Sequence, residues 1–295
     1  MPETMLKGTG VAMVTPFKED KSIDYDSLEK LINHVIDGGV NYLVALGTTG
    51  ETPSLSTEEK HSIIEFVKGI NNKRVPLVVG MGGNNTSSLT ATIRQVDYSD
   101  IDAILSVSPY YNKPTQEGLY RHFKAVAEAS KVPVILYNVP GRTGSNISAS
   151  SCTGLAKNFE GKIIAVKEAS GDLSQITAII KDKPSGFLVI SGDDAMTLPM
   201  VAMGGSGVIS VIANAYPGEF SEMVRLALDH QFYQARMIHY RLLSVMKALF
   251  EEGNPAGVKA FLTYKGIIQN NLRLPLVKVS KDLYTRITEL AKTLE

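Results

Sequence analysis

Lys167 follows the apolar run Ile163-Ile164-Ala165-Val166, which places an amine at the end of a strand-like segment. An ordinary lysine titrates near ~10.4, so at neutral pH its amine is protonated and is no nucleophile. Desolvation disfavours the charged form, and active-site lysines are tuned to roughly 7–8, where the free amine can attack a ketone and form a Schiff base. Read alone, a lysine at a strand end more often snorkels to water. Its company decides between the two. Hydroxyls, phenols and a guanidinium follow other apolar runs, in GTTGE at 47–51, SPYYN at 108–112, YNVPGRT at 137–143 and SGDD at 191–194. Each has a plainer reading when taken singly. Tyr137 is then a core aromatic with a satisfied hydroxyl, and Thr48-Thr49 a turn between glycines. Arg142 is a solvated loop residue, and Asp193-Asp194 cap backbone rather than hold a metal.

The elements that would position these groups recur regularly. Eight short apolar, β-branched runs occupy 10–15, 42–47, 77–80, 103–107, 134–137, 163–166, 188–191 and 208–211. Continuous apolar runs suit strands buried on both faces of a parallel sheet. Amphipathic helical patterns lie between them at 25–38, 57–70, 116–129, 148–156 and 175–180, the second opened by a capping box of Ser56 and Glu59. Eight strands alternating with helices predict an α/β fold, a (β/α)8 TIM barrel, with an open doubly wound sheet as the alternative. Four helical patterns follow the eighth run, at 218–230, 232–250, 255–268 and 280–294. One closes a barrel, so the reading divides the chain into a catalytic barrel over 1–225 and a small C-terminal helical domain over 226–295. In a barrel the reactive groups named above all fall at the C-terminal ends of strands, where barrel chemistry takes place. The glycine-rich 204–207 precedes the eighth strand and falls at the opposite face.

Composition removes several classes. Thirty basic and thirty acidic residues cancel, which leaves no footprint for nucleic acid or an anionic membrane. The one cysteine, Cys152, excludes an internal disulfide and a cysteine cage for metal. The five histidines, His34, His61, His122, His230 and His239, form no ligand pair, so no metal is expected. No apolar stretch reaches the ~20 residues of a membrane helix. The start, Met1-Pro2-Glu3-Thr4, lacks a signal-peptide pattern, and a cytoplasmic location is expected.

Taken together, GTTGE, SPYYN, YNVPGRT, VKEASGD at 166–172 and SGDD, in that order, resemble the dihydrodipicolinate synthase family. That family sits in the pyruvate-dependent class I lyase and aldolase superfamily, which includes N-acetylneuraminate lyase. The resemblance spans nearly the whole chain. It implies condensation of pyruvate with L-aspartate 4-semialdehyde to 4-hydroxy-tetrahydrodipicolinate, on the route to diaminopimelate and lysine. It further implies that Lys167 carries the Schiff base and Tyr137 relays protons. Thr48 would link Tyr137 to Tyr111, the latter supplied by a neighbouring subunit, so at least a homodimer is implied and a homotetramer is open. Thr49 would hold the pyruvate carboxylate, with main-chain groups of Gly192 and Ile209 lining the pocket. Arg142 would bind the carboxylate of the second substrate. No cofactor is implied, because the iminium itself is the electron sink.

One departure stands out. Lysine-inhibited members place two histidines and a glutamate in an effector pocket where this chain has Thr57, Lys60 and Ser88, while Asn84 and Tyr110 are retained. Weak or absent inhibition by lysine is the expectation. Two other readings are a pyruvate aldolase acting on a sugar, which Arg142 argues against, and a silent barrel kept as a scaffold, which the full set Lys167, Tyr137, Thr48 and Tyr111 argues against.

Overall fold

The structure, a computed structural model, describes residues 5–294. The Met1–Thr4 stretch read above for a signal peptide lies outside them. The chain alternates β1 (Gly8–Ala12), α1 (Tyr25–Asp37), β2 (Tyr42–Ala45), α2 (Thr57–Asn71), β3 (Leu77–Gly80), α3 (Thr86–Gln95), β4 (Ala103–Val107) and α4 (Gln116–Ala129). It continues through β5 (Val134–Asn138), α5 (Pro140–Thr143), α6 (Ala149–Asn158), β6 (Ile163–Glu168), α7 (Leu173–Asp182), β7 (Leu188–Ser191), α8 (Thr197–Ala202), β8 (Gly207–Ser210) and α9 (Pro217–Leu228). Three further helices follow: α10 (Phe232–Ala248), α11 (Ala256–Tyr264) and α12 (Lys281–Lys292).

The eight strands are parallel and close into a barrel, so the open-sheet alternative is overturned. Closure is made by β1 against β8, with Gly8 opposite Gly207 and Gly10 opposite Ile209. That seam needs glycine. A Cβ on Gly207, whose φ is +133°, would lie 2.0 Å from the Gly8 carbonyl oxygen, and one on Gly10 would enter the Tyr42 ring at 2.1 Å. The Tyr42 ring fills the barrel interior and its hydroxyl donates to the Val208 carbonyl at 3.2 Å.

Strand side chains alternate faces. Tyr42, Val44, Val78, Leu105, Ile135, Ala165, Ile190 and Ile209 fill the interior. Leu43, Val79, Ile104, Leu136, Val166 and Val189 pack outward with the helices. This double burial is why the strands read as continuous apolar runs. The first strand begins two residues earlier than its hydrophobic run, because Gly8 and Thr9 pair with β8.

Helix α2 carries the expected capping box, with Ser56 and Glu59 bonded reciprocally. Two helices had no pattern to find. In α3 only Leu89 and Ile93 supply an apolar stripe among serines and threonines, and α8 is six residues long with a proline inside. Helix α9 packs beside β1 and β8 and completes the barrel. It runs to Leu228, so a division drawn at residue 225 falls in its last turn.

The segment around α11 folds back over the loops after β1 and β2. Asn271 Nδ2 donates to the Phe17 carbonyl at 3.2 Å, and the Arg273 guanidinium grips Glu59 of α2 at 2.6 Å while donating to the Lys21 and Ser54 carbonyls. Lys259 and Glu51 form an ion pair at 2.5 Å with both side chains wholly buried. Burial pushes the Lys259 ammonium down to about 8, and Glu51 pulls the other way. Removing one partner of such a pair costs about 3–5 kcal/mol, because the other charge is left stranded.

The hydrogen bonds from Arg273 hold the Glu59 carboxyl at about 2, well below its ordinary 4.5. A depressed carboxylate contributes stability that is complete above its unfolded value and is lost as pH falls through the folded one. Thermal melts of Glu59→Gln should therefore show a lower midpoint than wild type at pH 7. The gap should close as pH drops from about 4.5 toward about 2. A gap that persists unchanged at pH 2 would mean the carboxylate charge is not what Arg273 uses.

Candidate active site

Strands β5 and β6 pair in a register that sets Tyr137 beside Lys167 and Asn138 beside Glu168. Alternation sends the first pair into the barrel and the second outward. Lys167 is 5% exposed, and its Nζ lies 4.3 Å from the Tyr137 ring centroid. Among the described residues no carboxylate comes within ion-pair distance of this amine. A buried amine, a phenol against it and no counter-ion is the arrangement that imine chemistry needs.

The outward pair was not singled out in the sequence. Asn138 Nδ2 donates to both Glu168 carboxylate oxygens at 3.1 and 3.0 Å, and the Ser170 N–H adds a third bond at 2.8 Å. Burial raises the Glu168 carboxyl above its usual range, against the pull of these donors. The pair ties β5 to β6 at the level of the two reactive side chains. Its only local signal is adjacency, since Asn138 and Glu168 directly follow Tyr137 and Lys167.

Gly192 directly follows β7. Its N–H is committed to the Glu168 carbonyl at 2.8 Å and is not free for a ligand. What the position supplies is space: a Cβ there would meet Lys167 Cε at 3.1 Å and Ala169 Cβ at 2.7 Å. Ile209 is 1% exposed with its side chain in the barrel core. Among the described residues β7 and β8 pair only at Ser191 and Val208.

After β2 the chain makes a tight 3-10 turn, Thr48–Gly50, between Leu46 and Glu51, both left-handed at φ +55°. Thr15 Oγ1 donates to the Gly50 carbonyl at 2.7 Å, and Thr52 Oγ1 to those of Leu46 and Gly47 at 2.7 and 2.9 Å. Thr49 is 2% exposed, and its hydroxyl oxygen accepts from Asn254 Nδ2 at 3.0 Å, which leaves its own proton to donate. Asn254 was missed because nothing near it in the sequence marks it; only the fold brings it to Thr49.

A cavity of about 410 Å³ opens above, lined by Thr48, Tyr137, Arg142, Tyr110, Val139 and Thr143 among others. Arg142 sits in the short α5, exposed, and among the described residues its guanidinium has no hydrogen-bond or ion-pair partner. The structure thus places Thr48, Tyr137 and Arg142 on one cavity wall, with Lys167 against Tyr137, Gly192 against Lys167, and Thr49 buried in the turn next to Thr48. It does not bring in Tyr111, which is 89% exposed, holds φ +78° and does not line the cavity. No hydrogen bond joins Tyr137 to Thr48 among the described residues.

Asp193 and Asp194 do structural work, as their plainer reading had it. Asp193 accepts from the Ala195 N–H at 2.9 Å and Asp194 from the Ile212 N–H at 2.8 Å, with burial pushing the Asp194 carboxyl up to about 6. Among the described residues no group of three or more histidine, cysteine or acidic side chains is placed to hold a metal ion.

Residues 5–294 match the profile of the Dihydrodipicolinate synthetase family. The chain belongs to this family. A 4-hydroxy-tetrahydrodipicolinate synthase of Flavobacterium psychrophilum is 54% identical over 287 residues, covering 97% of this chain and 98% of the relative. One of Parabacteroides distasonis is 51% identical over 294 residues, covering 100% of this chain and 99% of the relative. Among solved structures, dihydrodipicolinate synthase from Aquifex aeolicus has a TM-score of 0.94 at 41% identity, with 98% of each chain covered. As a family member the chain is an enzyme of the lyase class, and the (β/α)8 architecture is shared along its whole length. Thr57, Lys60 and Ser88 line a second cavity of about 320 Å³ with Asn84. No acidic residue lines that cavity.

The contact between Gly192 and Lys167 gives a direct test. Gly192→Ala should keep the barrel folded but displace the lysine, slowing borohydride trapping of pyruvate on the order of 100-fold, the scale of a ~1 Å misplacement. Trapping at the wild-type rate in a folded variant would show that the lysine does not depend on that space.

Proposed function

We propose that the chain condenses pyruvate with L-aspartate 4-semialdehyde through a Schiff base on Lys167, yielding 4-hydroxy-tetrahydrodipicolinate for diaminopimelate and lysine synthesis. The observation that carries this reading is the pairing of Lys167 with Tyr137 on the inner face of β5 and β6. The amine attacks the pyruvate ketone and water leaves, giving an iminium. The iminium withdraws electrons from the methyl group, a proton departs, and the resulting enamine carbon attacks the aldehyde. Tyr137, with Thr48 beside it on the cavity wall, is placed to give and take these protons. Thr49 and the turn around it supply fixed donors for the pyruvate carboxylate. The amino group of the second substrate then closes the ring on the imine carbon and releases Lys167. The iminium is the electron sink, so the scheme requires neither metal nor organic cofactor.

Arg142 suits the second substrate. Its guanidinium lines the cavity with no ion-pair partner among the described residues, and its fork can bind a carboxylate bidentately. A sugar aldehyde offers no such group. Tyr111 enters through assembly: an exposed tyrosine held in a left-handed backbone beside the cavity mouth suits a reach into a neighbouring copy's site. The proposed state is a homodimer or a homotetramer, working in the cytoplasm. No described helix is long and apolar enough to cross a membrane. The cavity of Thr57, Lys60 and Ser88 offers a lysine ammonium no counter-charge, which supports weak or absent inhibition; half-inhibition at sub-millimolar lysine would count against it.

The deciding experiment supplies pyruvate with either aspartate semialdehyde or N-acetylmannosamine, beside borohydride trapping. Turnover with the semialdehyde alone, and a pyruvyl adduct lost in Lys167→Ala, is the expected result. Tyr137→Phe should lower turnover roughly 100- to 10,000-fold. Arg142→Ala should weaken use of the semialdehyde while pyruvate still forms its adduct. Condensation onto the sugar instead would move the enzyme to the sugar-lyase branch. For Tyr111, light scattering should show a dimer or larger, and Tyr111→Phe should slow turnover; a fully active monomer would remove that residue from the mechanism.

A further inference from the structure

The Thr48–Gly50 turn carries the groups assigned above to the pyruvate carboxylate, and the barrel strands alone do not dictate its shape. Leu46 and Glu51 on its flanks hold φ +55°, a conformation that residues other than glycine keep only where their surroundings impose it. Much of that surrounding comes from the far end of the chain. Lys259 of α11 meets one Glu51 carboxylate oxygen at 2.5 Å, and the Arg273 N–H donates to the other at 3.1 Å. Lys259 is itself fixed, donating to the Asn271 carbonyl at 2.8 Å and lying 4.3 Å from the Phe17 ring centroid. Two residues before α11, Asn254 Nδ2 donates to Thr49 Oγ1 at 3.0 Å. A single C-terminal segment therefore holds the turn at both Thr49 and Glu51.

A wholly buried ion pair is a poor way to gain stability, because desolvation offsets most of the attraction and well-packed apolar residues do as well. What such a pair supplies is direction: a carboxylate held from two sides fixes the backbone that carries it.

We propose that the Glu51–Lys259 pair is a positioning device for catalysis, setting the turn so that the Thr49 hydroxyl and the Thr48 backbone face the pyruvate carboxylate. This rests on the assignment of that turn to pyruvate. Asn254 complements it: by occupying the Thr49 oxygen as a donor, it leaves the hydroxyl proton for the substrate. The C-terminal helices, in this account, complete the binding site rather than append to the barrel.

The test uses the full-length enzyme and the double variant Glu51→Gln/Lys259→Met, which removes both charges at similar volume. Its cooperative melt should survive. Its KM for pyruvate should rise on the order of 10- to 100-fold, with borohydride trapping slowed at low pyruvate and the turnover number at saturation changed much less. Thr49→Val should raise the same KM, and adding it to the double variant should give less than the product of the two effects, since both act through one hydroxyl. If Thr49→Val raises KM while the folded double variant keeps the wild-type value, the positioning proposal fails and the pyruvate assignment stands. If Thr49→Val leaves KM unchanged, the assignment fails and takes the proposal with it. Should the double variant not fold, Asn254→Ala carries the test, since it removes no charge; a wild-type pyruvate KM there would overturn the proposal.

Discussion

Closure of eight parallel strands imposes the constraint on which everything else in this molecule depends. The interior layers are apolar apart from the Tyr42 hydroxyl, which is bonded to the Val208 carbonyl, and the strand alternation brings inward-facing polar groups out to the open C-terminal end. Ala165 and Lys167 share that inner face of β6, one a layer below the other, and Ile135 and Tyr137 do the same on β5. The amine and the phenol are neighbours because the hydrogen-bond register of two strands makes them so. A slip of one residue would turn both outward among the helices. Asn138 and Glu168, bonded across the outer face at the same level, oppose such a slip.

Space at the mouth is allotted by small residues as much as by reactive ones. Gly207 lets β8 approach the backbone of β1, Gly10 makes room for the Tyr42 ring and Gly8 for the Asn41 side chain, which together close the cylinder. Gly192 leaves room for the lysine stem. The Thr48–Gly50 turn is held on several sides, with hydroxyls of Thr15 and Thr52 bonded to carbonyls in and beside it and buried side chains from the C-terminal segment bonded to Thr49 and Glu51. Preorganised donors of this kind are effective because they need no rearrangement as charge develops.

Much of this was legible before any coordinates. The eight strands follow from β-branched runs long enough to be buried on both faces, and three of them, at 77–80, 103–107 and 188–191, have the bounds their hydrophobicity indicates. Barrel against open sheet was not legible, since both are built from the same alternation and differ only in whether β1 meets β8. Helix α3 escaped because its serines and threonines leave two apolar residues to mark a face.

For the site, the sequence by itself determined the cast: a lysine and a tyrosine at strand ends, paired threonines between glycines and an arginine after YNVPG are residue types whose chemistry is intrinsic and whose spacing places them on one barrel face. Tertiary structure alone decided how they are held. Asn254 meets Thr49, and Lys259 meets Glu51, across some two hundred residues of chain. Gly192 leaves a gap that the Lys167 stem occupies. Local periodicity reports which face a side chain takes; it carries no information on which distant segment packs against that face, because that pairing is set by the closed surface the whole chain forms.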